Sequence, residues 1–113
     1  MAGYRGGRGG AQGMQNLMKQ AQKMQEEMRE TEALLDDWEI VGTAGGEAVV
    51  VYMNAKKKID GIEIDKSVID PEDEEMLEDL ILAAINDGYK KADAVFEEKM
   101  GKFGGLGGMG GLL

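Results

Sequence analysis

From Gln12 to about Asp36 the sequence places apolar residues every seven positions, at Met14, Ala21, Met28 and Leu35. Leu17, Met24 and Thr31 fill the positions between, and Met18 widens the stripe. After Gly13 neither glycine nor proline interrupts the stretch, and Gln, Lys, Glu, Met and Ala are good helix formers, so the pattern predicts one long helix. About 25 residues of α-helix make a rod roughly 37 Å long. Three heptads of this kind suit a coiled-coil-like pairing, and methionine as the main apolar residue makes the seam adaptable. A rod that long limits what the remaining elements can cover.

Those elements are short. Trp38 to Thr43 alternates Trp38, Ile40 and Gly42 against Glu39, Val41 and Thr43, which reads as a strand closed by the Gly45-Gly46 turn. Ala48 to Met53 is a second strand, apolar on both sides, so both of its faces are expected to be covered. Lys57 to Asp65 is a third, with Gly61 expected at a bulge or kink. Asp70-Pro71-Glu72-Asp73 reads as a helix start with Asp70 as cap, and the apolar stripe through Leu77, Leu80, Ile81, Ala84, Gly88, Ala92, Val95 and Phe96 runs to about Met100. The expected fold class is α+β, in the order α-β-β-β-α, with a three-stranded antiparallel meander. Strands of 6 to 8 residues span only about 20 to 27 Å. Both helices are therefore expected to project past the sheet, the N-terminus of the first beside the C-terminus of the second.

Glycine marks the boundaries. Of 18 glycines, 13 fall in the first 13 or the last 13 of the 113 residues. Residues 1–12 and 101–113 are expected to be disordered glycine-rich tails, and 13–100 a single domain. A core this small is marginal on surface-to-volume grounds, which favours a homodimer. The candidate core and partner seam comprise Met14, Leu17, Met24, Met28, Val49, Val51, Leu80 and Ala84.

The net charge of −9 is unevenly spread. Residues 1–25 hold Arg5, Arg8, Lys19 and Lys23 and no acid, a local +4, whereas residues 26–87 carry −14. Lys90, Lys91, Lys99 and Lys102 make residues 88–113 slightly basic, so the two expected free helix ends are the positive parts of an acidic chain. Lys19 and Lys23 share a helix face and are placed to bracket phosphates, the alternative being an ordinary solvated face. Arg5 and Arg8 sit in an arginine-glycine setting that adds sequence-tolerant nucleic-acid affinity in other chains. Lys56-Lys57-Lys58 and the acids from Asp70 to Asp79 read as solvated turns and a helix start.

Cysteine and histidine are both absent. That excludes disulfides, thiolate or histidine-bound metal sites, and serine–histidine or cysteine–histidine catalysis. No catalytic constellation, metal site, cofactor or small-molecule substrate is expected, and no apolar run has the length of a membrane span. The expected location is the cytoplasm.

The segments LMKQAQKMQEEM (17–28), GIEID (61–65) and MLEDLILAAINDGYKKA (76–92) resemble the bacterial YbaB/EbfC family of nucleoid-associated proteins. The resemblance covers about residues 13–100 and implies a small α+β protomer, a tweezer-like homodimer, DNA binding and location in the nucleoid. It assigns the DNA contacts to the projecting helix ends, here Lys19, Lys23, Lys90, Lys91 and Lys99. Departures from the family pattern are Glu47 after the glycine pair, Ala55 after Asn54, and Gly88 after the Asn-Asp pair. The expected partner is duplex DNA, contacted mainly through phosphates with weak or no sequence preference. The competing expectation is an adaptor that grips a partner helix through the methionine seam.

Overall fold

The computed structural model describes residues 2–104, with side chains from residue 12 onward. Its elements are α1 (Ala2–Asp37), β1 (Glu39–Ala44), β2 (Val49–Asn54), β3 (Ile59–Ile64), a 3₁₀ turn at Lys66–Val68, α2 (Glu74–Met100) and a closing 3₁₀ turn at Gly101–Phe103. The expected element order and meander are present, with strand order β1-β2-β3 and both pairings antiparallel. The β2–β3 register shifts between Tyr52 and Met53, leaving Asp60 unpaired beside Gly61, where the bulge was expected.

The core lies between one face of the sheet and α2. Ile40, Val49, Val51 and Met53 point from the strands toward Ala84 and Ala92, and all six are buried. Small residues let the helix approach closely: a Cβ on Gly42 would fall 2.6 Å from the Gly88 nitrogen and 2.8 Å from its Cα. Asp87, a poor helix former in mid-helix, accepts a hydrogen bond from the Thr43 N–H at 2.9 Å. Lys91 pairs with Asp87 at 2.9 Å and donates to the Val41 carbonyl at 3.1 Å. These two side chains occupy the outer edge of β1 and fix α2 along it.

Several expectations are corrected. Asp70 caps a turn, accepting from the Glu72 N–H, and α2 starts three residues beyond the expected Pro71, where Asp73 accepts from the Met76 N–H. Within the protomer α2 covers one face of β2, and Val50 and Tyr52 are half-exposed on the other. Past residue 100, Phe103 is buried. At the other end α1 begins at Ala2, ahead of the expected start at Gln12. The remainder of the expected C-terminal tail, 105–113, lies outside the described residues.

Candidate nucleic-acid interface

The first helix is an arm. Every residue from Gln12 to Glu26 is exposed, and Leu35 is the single buried residue of α1 among those described. The molecule measures 87 × 25 × 16 Å, with a radius of gyration of 23.0 Å. A compact chain of this size has a radius near 13 Å. The arm stands out because α1 passes into β1 through Trp38 alone, with no loop in which to reverse. Its end is also clamped: the Ala55 N–H donates to the Leu35 carbonyl at 3.2 Å and Asn54 Nδ2 to the Asp36 carbonyl at 3.1 Å. Lys56 pairs with Asp36 at 3.2 Å, so the first lysine of the basic run serves the joint.

The second helix does not project in the same way. Leu80 lies beside Gly45 at one end of β1 and Lys99 sits 5.1 Å from the Trp38 ring at the other, so α2 runs antiparallel to β1 along its whole length. The expectation of two free ends side by side is therefore corrected. A helix of 27 residues is about 40 Å long, and most of it is used in covering the sheet.

This separates the candidate lysines into two groups. Lys19 and Lys23 stand on the arm, about 24 and 18 Å from Leu35 along the helix axis. Neither forms an ion pair among the described residues. The acidic part of the arm begins at Glu26, about 4.5 Å along the axis from Lys23 and about 10 Å from Lys19, so at a Debye length of about 8 Å only Lys19 is screened from it. Lys90, Lys91 and Lys99 lie on the body instead. Lys91 is held by Asp87 and Val41, and Lys99 rests on Trp38; Lys90 is exposed. Lys57, in the β2–β3 turn, pairs with Asp93 of α2. Arg5 and Arg8 belong to the first turns of α1, where side chains are outside the described residues.

The seam residues divide likewise. Val49, Val51 and Ala84 are core and Leu80 packs against it, whereas Met14, Leu17 and Met24 are 68%, 65% and 45% exposed. Met28 is half-buried. At about 100° per residue, Lys19 and Lys23 fall on the side of α1 opposite the seam centred on Ala21. The arm therefore has an apolar side and a basic side.

Carboxylates elsewhere are tuned by structure. The Thr43 N–H, then Lys91, hold the Asp87 carboxyl below the usual carboxylate range, and the Ser67 N–H does the same for Asp65. Partial burial, then the neighbouring Glu63, pushes the Tyr52 hydroxyl up. No group of three or more potential metal-binding side chains is assembled among the described residues. No described helix is long and apolar enough to cross a membrane.

Fold and arm together define a small α+β protein that carries a detached helix, acid-free and basic over its outer part, on an acidic body. The chain belongs to the YbaB/EbfC DNA-binding family, whose family model matches residues 10–109. It is 46% identical over 106 residues to a nucleoid-associated protein of Alkaliphilus metalliredigens, covering 94% of this chain and 93% of that one. A nucleoid-associated protein of Clostridium novyi is 50% identical over 101 residues, covering 88% and 89%. Among solved structures, an uncharacterized protein from Helicobacter pylori superimposes with a TM-score of 0.65 at 27% identity, covering 73% of this chain and 86% of that chain.

Proposed function

We propose that this protein binds duplex DNA as a homodimer in the bacterial nucleoid, with a role in nucleoid organisation or gene regulation. Phosphate contacts from Lys19 and Lys23 supply most of the affinity, with weak or no sequence preference. The supporting observation is the arm: two lysines that form no ion pair among the described residues, on an exposed stretch of helix that carries no acid before Glu26. Homodimerisation is supported by the seam, where Met14, Leu17 and Met24 are 68%, 65% and 45% exposed, and by the half-exposed second face of β2. Because the seam and the lysines lie on opposite sides of α1, a partner on the seam leaves the lysines available.

Each neutralised phosphate lowers log K by about 0.9 per decade of salt. Two arms with two lysines each give a slope of roughly −3 to −4 by that rule. Fluorescence anisotropy on a duplex across salt concentrations measures this slope, and Lys19→Glu/Lys23→Glu is expected to abolish binding. Full retention of affinity in that double variant at low salt refutes the assignment. A second reading, an adaptor gripping a partner helix, draws on the same exposed seam; in that case the lysine reversal leaves partner binding nearly intact.

A further inference from the structure

The arm carries more than its two lysines. Between Gln12 and Gln25 lie six carboxamides, Gln12, Gln15, Asn16, Gln20, Gln22 and Gln25, all exposed. Gln12, Asn16, Lys19 and Lys23 follow one another at intervals of four, three and four, which aligns them in one stripe. At about 100° per residue, all four fall within roughly 40° of the line opposite Ala21, the side that a helix partner on the seam would leave bare. The same stripe continues toward the body through Glu26 and Glu30, and there an anionic backbone is repelled. The usable contact is thus bounded: Gln12 to Lys23, about 17 Å of helix.

We infer that this stripe seats α1 in the DNA major groove, with Gln12 and Asn16 on adenine edges and Lys19 and Lys23 on the flanking phosphates. The inference rests on the DNA-binding reading above and adds the groove and the base. Dimensions favour the major groove: a helix with side chains is about 10–12 Å across, the major groove about 12 Å wide and the minor about 6 Å. Chemistry favours adenine, since a carboxamide donates to N7 and accepts from N6–H through one planar group. Lysine adds charge without planar recognition, and its long stem lets the ammonium turn outward to the groove wall. Two carboxamides per arm read few positions, which agrees with a weak preference overall.

The test uses the full-length chain and two duplexes of one mixed sequence, one natural and one with every adenine replaced by 7-deazaadenine. That replacement removes the N7 acceptor and keeps the pairing and the backbone charge. Anisotropy at low salt is expected to show binding weakened about fivefold or more on the modified duplex. Gln12→Ala/Asn16→Ala, with helicity checked by circular dichroism, is expected to bind both duplexes alike and to keep the wild-type salt slope. Equal binding of the two duplexes by the natural chain overturns the groove assignment and leaves DNA binding standing. Binding to neither duplex overturns both.

Discussion

Replacing Gly42 by alanine tests how α2 is seated on the sheet. The added Cβ would fall 2.6 and 2.8 Å from the Gly88 nitrogen and Cα, and nearer still to the Ala84 carbonyl oxygen, all of them backbone atoms that no rotamer change can move. Carbon atoms pack best at about 3.5–4.0 Å, so α2 must lift by roughly 1 Å. A gap of that size forfeits a quarter to a half of the dispersion energy of each affected contact. Ile40, Val49, Val51, Met53, Ala84 and Ala92 all lie in the interface, and the combined loss is comparable to a large core truncation, about 3–5 kcal/mol. Gly88→Ala is the control on the facing position. Its Cβ meets the tip of the Met53 side chain, which can swing aside, and alanine improves helix propensity by about 1 kcal/mol, so a net change within about 1 kcal/mol of zero is expected. Thermal unfolding followed at 222 nm at one protein concentration measures both. At about 4–8 °C per kcal/mol, Gly42→Ala should lower Tm by about 12 °C or more and Gly88→Ala shift it by less than about 8 °C. Equal effects of the two substitutions, or a neutral Gly42→Ala, would refute the backbone-contact account.

Three other outcomes follow from the side-chain contacts. Asp87 and Asp65 have depressed carboxyl pKa values in the folded state, so their contribution is present at neutral pH and lost as pH falls below about 4; Asp87→Asn should lower Tm at pH 7 and converge with wild type in acid. Asp73→Ala removes the α2 cap and should cost about 1 kcal/mol in urea unfolding, whereas Asp70→Ala, which loses only a turn, should cost less. Lys91→Gln should leave DNA affinity in the anisotropy assay within about twofold, because Lys91 is engaged with Asp87 and Val41; a loss as large as that of the Lys19/Lys23 reversal would return the second helix to the interface.

Local chemistry made the elements readable. The seven-residue spacing from Met14 to Leu35 needs no tertiary partner to be recognised as helical, and the alternation around Ile40 and Val49 identifies strands. Gly61 beside the register shift was legible because a glycine inside a strand pattern has few other uses. The acid-free stretch before Glu26, and with it the candidacy of Lys19 and Lys23, was also a property of order along the chain. The start of α2 was misplaced because Asp70 and Asp73 are both competent caps, and only the path of the chain selects between them.

What composition and periodicity left open was how far each helix stands from the sheet. Both patterns are long and amphipathic, yet α2 is drawn down by two glycine contacts and by the Asp87 and Lys91 bonds to β1, while α1 leaves the body through a junction with no room to turn. That difference ties Lys91 to Asp87 and seats Lys99 over Trp38 on the body, while Lys19 and Lys23 stand on an arm. Such contacts join residues some 40 to 50 positions apart, where sequence spacing carries no geometric information. The sequence by itself determined which segments become helix or strand and where charge lies along them; the tertiary packing alone decided which lysines are engaged on the body and which stand on the exposed arm.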